Sequence, residues 1–134
     1  MLKTILLLVL VACATASLLG GFEEVEVDDE EVLTAANHAT KRLSKQFASP
    51  YHSKLAKVLK AKRQIVAGAN FKMDIIVGLT TCKKSEVEFE DANDCEFQDN
   101  ISTYKKCTVL VYRDLKDKHR LVSSGCILAS KKDL

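Results

Sequence analysis

In this 134-residue sequence, the residues that could bind a metal ion or take part in catalysis are histidines, cysteines and clustered carboxylates. No two of the three histidines, His38, His52 and His119, stand four residues apart, the spacing that presents two imidazoles to one metal ion. The acidic clusters at 86–91 and 94–99 lack the glycine and the carboxylate rhythm of a calcium-binding loop. The sequence therefore predicts no metal site and no cofactor.

Residues 1–16 have the pattern of a signal peptide. A lysine precedes an apolar run from Ile5 to Ala12, and small residues follow up to Ala16. The alternative is a membrane anchor, but the run is well short of the roughly 20 residues that span a bilayer. We expect cleavage after Ala16, which leaves a secreted, extracellular domain at 17–134 that is not bound to a membrane.

Four cysteines remain after that cleavage, because Cys13 lies in the removed segment. An even number of cysteines in a secreted chain is typical of disulfides, so no free thiol remains to act beside a histidine. The sequence is therefore predicted not to be an enzyme. Four cysteines allow three pairings, and the lower entropy cost of closing short loops favours the sequential one. The expected disulfides are Cys82–Cys95 and Cys107–Cys126.

Charges are nearly balanced, with 20 lysines and arginines against 18 aspartates and glutamates. This balance gives no indication of nucleic-acid binding. The distribution is uneven, since residues 22–31 are acidic and residues 41–63 are basic. Acids at the start of a helix and bases in its last turns complement the helix dipole, so the favoured interpretation is a solvated helix, with a binding patch as the alternative.

Apolar residues at spacings of four and three predict one amphipathic helix from about Asp29 to about Phe47. The helix is expected to end before Pro50, because proline disfavours helical geometry in the preceding residue. The predicted apolar stripe consists of Val32, Ala36, Ala39, Leu43 and Phe47.

Most of the remaining chain has the composition or the alternation of β-strands. The predicted strands are 54–63, 70–77, 86–90, 108–112 and about 120–128, with a polar connection at 115–119. An antiparallel sheet must bury one face, and the helix stripe is the large apolar surface available to cover it. We expect an α+β fold in which one long helix packs against a twisted antiparallel sheet of about five strands, with two disulfides.

The segment Gln64-Ile65-Val66-Ala67-Gly68, between the first two predicted strands, resembles the first-hairpin motif of cystatins. Further matches are Leu18-Leu19-Gly20-Gly21, Tyr51-His52-Ser53, Asn70-Phe71, Gly78, Thr80-Thr81-Cys82 and the three following cysteines. Along nearly the whole mature chain the sequence resembles a secreted type 2 cystatin, a family of cysteine peptidase inhibitors. The short N-terminus and the second hairpin look like those of tick salivary or midgut members.

The resemblance implies a cystatin-like fold and a wedge of three parts that plugs the cleft of a papain-like cysteine peptidase without a covalent bond. Gly20, followed by Gly21, would be the hinge of the N-terminal part, with Leu18 and Leu19 extending into apolar pockets of the peptidase. A frayed terminus would explain the two glycines equally well if they stood alone.

The two hairpins would form the other parts of the wedge. The first would present Gln64, Ile65, Val66, Ala67 and Gly68, whereas the alternative interpretation places Ile65 and Val66 in the core. The family commonly has a Pro-Trp pair in the second hairpin, where Leu115 and Lys116 stand here, and the chain contains no tryptophan. Losing a large aromatic anchor costs on the order of tenfold to a hundredfold in affinity, so we expect inhibition with altered selectivity.

The function implied by the resemblance is reversible, competitive, tight-binding inhibition of cathepsin L-like peptidases, with cathepsins S and C as further targets. The alternative is a non-inhibitory secreted protein of the same fold that binds other partners or modulates immunity. Legumain inhibition is not expected, since Ala48-Ser49-Pro50 stands where inhibitory members carry an asparagine.

Asn100 opens a sequon for N-linked sugar. We expect a monomer, with a domain-swapped dimer as the alternative.

Overall fold

The computed structural model describes residues 21–134. The predicted signal peptide therefore lies outside the described residues. Five strands form one antiparallel sheet in the order β1-β2-β3-β4-β5, and one long helix packs on it, as expected for this α+β fold. No helix among residues 21–134 is long and apolar enough to cross a membrane. The elements are β1 (Glu23–Glu24), α1 (Glu30–Gln46), β2 (Tyr51–Val66), β3 (Gly68–Lys83), β4 (Tyr104–Arg113) and β5 (His119–Leu128).

Helix α1 begins and ends close to the predicted positions. Asp29 caps its N-terminus, because the Asp29 carboxylate accepts a 2.8 Å hydrogen bond from the backbone N–H of Glu31. The chain leaves the helix at Phe47 in an extended conformation, shortly before Pro50. The predicted stripe is buried at Val32, Ala36, Ala39 and Leu43, and Phe47 packs half-buried at its end.

Strand β3 lies at the centre of the sheet and supplies the largest core side chains. Phe71, Met73, Ile75 and Val77 are at most 1% exposed and pack in one cluster with the helix stripe. Val109 and Val111 of β4 pair with Met73 and Phe71 and extend this buried face. The alternation predicted for these two strands is therefore confirmed.

The predicted strand at 86–90 is wrong. A turn there leads into a short 3₁₀ helix, Phe89–Asp94. Phe89 is buried with its ring 6.1 Å from that of His52, and Ala92 is fully buried. Two buried residues three apart suit a 3₁₀ turn, in which side chains at that spacing lie on one side. The apparent alternation depended on Val87 and Phe89 alone.

The fifth strand of the sheet is instead β1, which pairs with Lys62 and Arg63 of β2. The sequence did not indicate β1, because two acidic residues show no apolar–polar alternation. The strand pairs through its backbone groups alone. Strands β2 and β3 are also longer than predicted, and Ala67 is the one residue between them. The motif at 64–68 therefore forms the end of a long hairpin.

Two disulfides, as expected, hold the margins of the sheet. Cys82–Cys95 joins the end of β3 to the residue that follows the 3₁₀ helix. Cys107–Cys126 joins directly opposite residues of β4 and β5, and Cys107 is part of the buried core. The second bridge therefore fixes the edge strand β5, most of whose side chains are exposed, against the core.

Candidate functional site

The register of the sheet brings three segments to one end of the molecule. Ala69 at the start of β3 pairs with Arg113 at the end of β4, so the β2–β3 turn and the β4–β5 turn lie side by side. Strand β1 pairs with the last part of β2, and the chain before β1 runs toward the same end. We call the segments 21–22, 64–68 and 114–118 the wedge end.

The structure describes the N-terminal part of the wedge end from Gly21 onward. Gly21 is exposed, and no atom lies within 4 Å of the position that a Cβ would take there. Its attachment to the sheet follows directly, since the N–H of Val25 donates a 3.1 Å hydrogen bond to the carbonyl of Ala61. The predicted contact residues Leu18, Leu19 and Gly20 lie outside the described residues.

The turn at 64–68 displays apolar side chains and depends on one glycine. Ile65 is 65% exposed and Val66 is 41% exposed, so neither is a core residue. Gly68 has a φ of 101°, and a Cβ there would stand 2.2 Å from the Arg113 carbonyl oxygen. Any other residue would be strained and would push the two turns apart.

Side-chain hydrogen bonds hold this turn to its neighbours. The hydroxyl of Tyr112 in β4 donates a 2.6 Å hydrogen bond to the carbonyl of Ala67. Across the hairpin, the amide of Asn70 donates to the side-chain oxygen of Gln64 at 2.9 Å. The first turn is thus tied to the stem of the second hairpin. Tyr112 was missed from the sequence, because nothing local shows that its hydroxyl reaches another hairpin.

The second turn is organised by Asp114. One carboxylate oxygen of Asp114 accepts hydrogen bonds from the backbone N–H groups of Lys116 at 2.8 Å and Lys118 at 3.0 Å. The bonds from Lys118 and Lys116 lower the pKa of Asp114, because they stabilise its ionised form. Leu115 stands at the tip and is 81% exposed, and Lys116 beside it is also exposed.

Glu31, in the first turn of α1, links the helix to both hairpins. Its two carboxylate oxygens lie 3.1 Å from a guanidinium nitrogen of Arg63 and 3.1 Å from one of Arg113. These arginines come from the stems of the first and second hairpins. All three side chains are partly exposed, so each pair adds little stability, but together they fix the two stems relative to the helix.

Two histidines meet where α1 passes the stem of the second hairpin. The ring of His38 lies 5.5 Å from that of His119, measured between centroids. Burial lowers the pKa of His38 below its ordinary value of 6.5, and the nearby charges of His119, Arg42 and Lys41 lower it further. Protonating His38 is therefore costly in the folded state.

We expect the free energy of unfolding to fall as the pH drops below about 6.5. The lowered pKa means that unfolded chains bind more protons than folded chains in this range, so acid favours unfolding. His38→Gln should reduce this loss. Urea unfolding of both proteins at pH 7.5, 6.5 and 5.5 measures it, and equal pH slopes would show that His38 does not contribute.

The described residues offer no alternative site for metal chemistry. Among residues 21–134, no group of three or more histidines, cysteines, aspartates or glutamates is placed to hold a metal ion. The chemistry of the wedge end is that of exposed apolar groups on two interlinked turns, which suits the binding of another macromolecule.

Comparison with known proteins agrees with this geometry, because a family model of the cystatin domain matches residues 20–116. The chain belongs to the cystatin family. It is 42% identical over 94 residues to L-cystatin from Tachypleus tridentatus, an alignment that covers 70% of this chain and 71% of that relative. The resemblance seen in the sequence motifs is therefore confirmed.

Two solved structures share the fold. The crystal structure of dimeric human cystatin F has a TM-score of 0.73 at 22% identity and covers 84% of this chain and 90% of that chain. The salivary cystatin from the soft tick Ornithodoros moubata has a TM-score of 0.67 at 24% identity and covers 81% of this chain and 97% of that chain. Cystatins are inhibitors of cysteine peptidases rather than enzymes, and they are largely secreted.

Proposed function

We propose that the chain is a secreted, reversible, competitive and tight-binding inhibitor of papain-like cysteine peptidases of the cathepsin L type, with cathepsins S and C as further targets. The observation that carries this proposal is the wedge end, where Ile65, Val66 and Leu115 are exposed on two turns held side by side. Exposed apolar side chains are unfavourable in water and gain free energy when a cleft buries them.

The two turns are suited to binding without cleavage. A peptidase cleaves a chain that can lie extended in its cleft, whereas the first turn is closed by Gly68 and by the bond from Tyr112 to Ala67. The second turn is closed by Asp114. Because both turns are ordered before binding, little conformational entropy is lost on association. Full burial of a side chain such as Ile65 contributes about 1.5–3 kcal/mol.

The N-terminal residues complete the proposed wedge. Leu18 and Leu19 would enter apolar pockets on one side of the cleft, and Gly20 and Gly21 would let the chain pass close to the peptidase. The pairing of β1 with β2 supports this role, since it places Gly21 and Phe22, which precede β1, at the wedge end.

The second turn would contribute less than a turn with a large aromatic residue. Leu115 offers one exposed aliphatic side chain, and Lys116 offers a charge that favours an acidic partner surface. We therefore propose that cathepsin B is inhibited weakly or not at all. Legumain inhibition is not proposed, since Ala48-Ser49-Pro50 stands where inhibitory members carry an asparagine.

Titration of the mature domain against active-site-counted cathepsins L, S, C and B and legumain tests the proposal. Nanomolar reversible inhibition of cathepsin L with weak or no inhibition of cathepsin B and legumain is the expected result. Absence of inhibition of every peptidase would overturn it and favour a non-inhibitory binding protein. Sedimentation of the same sample tests the expected monomer.

Tyr112→Phe is expected to lower the free energy of unfolding by about 0.5–1 kcal/mol and to weaken inhibition of cathepsin L by about threefold. The variant loses only the hydroxyl that bonds to Ala67, so the first turn gains freedom that binding must remove. Tyr51→Phe is the matched control, since the Tyr51 hydroxyl makes no hydrogen bond within residues 21–134. Equal inhibition constants for both variants would contradict the role of Tyr112.

Asn100 remains a proposed acceptor of N-linked sugar. It is exposed, and it precedes the start of β4, at the end of the sheet opposite the wedge end. A sugar there would leave the wedge end open to a peptidase.

A further inference from the structure

The face of the sheet turned away from α1 carries a group of basic side chains. Ala61, Phe71 and Met73 face the helix, so their neighbours Lys60, Lys62 and Lys72 face the other way. Lys62 and Lys72 are directly opposite each other on β2 and β3. Like charges in this position repel, because opposite Cβ atoms in a sheet are only about 5 Å apart.

Arg120 of β5 extends this basic group toward the second hairpin. Its guanidinium lies 5.7 Å from the ring centroid of Tyr112, the residue with which it pairs across β4 and β5. Contact with an aromatic ring holds a guanidinium in place without neutralising its charge. We call Lys60, Lys62, Lys72 and Arg120 the outer patch; from β2 to β5 it extends roughly 15 Å across the sheet.

The rest of the same face contacts the C-terminal segment. The ammonium of Lys57 donates a 3.1 Å hydrogen bond to the backbone carbonyl of Leu134, and Lys106 lies 3.6 Å from the Asp133 carboxylate. The four residues of the outer patch form no salt bridge with any residue in 21–134. The outer patch therefore keeps its charge and lies in the half of the face next to the wedge end.

Two acids border the outer patch and leave it positive. Glu24 of β1 pairs in register with Lys62, and Asp74 of β3 pairs with Lys60, but neither forms an ion pair within 4.0 Å. Asp74 instead accepts a 2.9 Å hydrogen bond from the hydroxyl of Thr108. The four cations outnumber the acids beside them, so an excess of positive charge remains, spread over several strands.

We propose that the outer patch binds a sulfated polysaccharide chain. A linear polymer with closely spaced fixed anions can contact several of these cations at once and relieve the repulsion between Lys62 and Lys72. A membrane is less favoured, because the apolar neighbour of the outer patch, Leu110 opposite Lys72, is half-buried, and the exposed Ile127 stands opposite Lys106, away from the patch. Single-stranded nucleic acid is less favoured, because Tyr112, the ring within the patch, is half-buried and its hydroxyl bonds to Ala67.

Calorimetric titration with a heparin-derived hexasaccharide at 50 and 150 mM NaCl tests the proposal. The triple variant Lys60→Gln, Lys62→Gln, Lys72→Gln should bind at least about tenfold more weakly and with a shallower salt dependence, since fewer counterions are released. The matched control Arg42→Gln, Lys45→Gln, Lys83→Gln removes three exposed charges elsewhere and should bind within about twofold of the unchanged protein.

Melting curves without ligand check that all three proteins are folded. The hexasaccharide should raise the melting temperature of the unchanged protein and of the control but not that of the triple variant. Equal weakening in the two variants would overturn the proposal in favour of net charge alone. Equal binding of a desulfated hexasaccharide, or tighter binding of oligothymidine or phosphatidylserine vesicles, would also overturn it. Inhibition of cathepsin L should be unchanged in the triple variant, so the result is independent of the proposed inhibitory function.

Discussion

Gly68→Ala is expected to weaken inhibition of cathepsin L by at least about tenfold and to lower the free energy of unfolding by about 1–3 kcal/mol. Gly68 has a φ of 101°, and the new Cβ would stand 2.2 Å from the Arg113 carbonyl oxygen. Because that oxygen belongs to the backbone, the clash is relieved only if the first turn moves away from the second hairpin. The two turns would then no longer present one surface.

Gly125→Ala is the matched control for this substitution. Gly125 lies in β5, and no atom stands within 4 Å of the position that its Cβ would take. The control should keep the inhibition constant and should change the free energy of unfolding by less than about 0.5 kcal/mol. Inhibition constants and urea unfolding curves of the two variants measure the contrast. Unchanged inhibition by Gly68→Ala would show that the position of the first turn does not matter for binding.

Ile65→Asp is expected to weaken inhibition of cathepsin L on the order of a hundredfold while leaving the stability nearly unchanged. Ile65 is 65% exposed in the free protein, so little buried area is lost on folding. In the proposed complex its side chain is buried, and a carboxylate there would have to leave water without a partner. The effect therefore falls on binding rather than on folding.

Ile127→Asp provides a control of the same chemical type. Ile127 is 68% exposed, but it lies in β5 opposite Lys106, toward the end of the sheet away from the wedge end. Its substitution should leave inhibition within about twofold of the unchanged protein. Steady-state inhibition constants and thermal unfolding of both variants measure the effects on binding and on stability separately. A similar loss in the two variants would mean that added negative charge, rather than contact at Ile65, weakens the complex.

The fold was predictable where local periodicity and burial agree. The stripe from Val32 to Leu43 and the alternation from Phe71 to Val77 define faces that must be buried, and the structure buries them against each other. The strand predicted at 86–90 was wrong, because only two apolar residues, Val87 and Phe89, produced its apparent alternation. Burial of Phe89 beside His52 decided its 3₁₀ conformation, and that contact joins distant parts of the chain.

The site was only partly predictable. The sequence indicated the first turn by its motif and placed Leu115 and Lys116 in the second turn by its polar connection. Both are local features of the chain. It did not reveal the groups that fix these turns: Tyr112 bonded to Ala67, and Glu31 between Arg63 and Arg113. These partners belong to different elements, so their distances depend on the register of the sheet and the position of the helix.

The sequence by itself determined the family, the one-helix α+β architecture and the helix stripe, because each of these depends on residue types at short spacings. Only the tertiary structure decided that both turns lie at one end, that β1 closes the sheet, and that the charges of Lys62 and Lys72 face each other. Strand register is set by contacts among residues far apart in the chain, and a shift of one residue would turn those same lysines toward the helix.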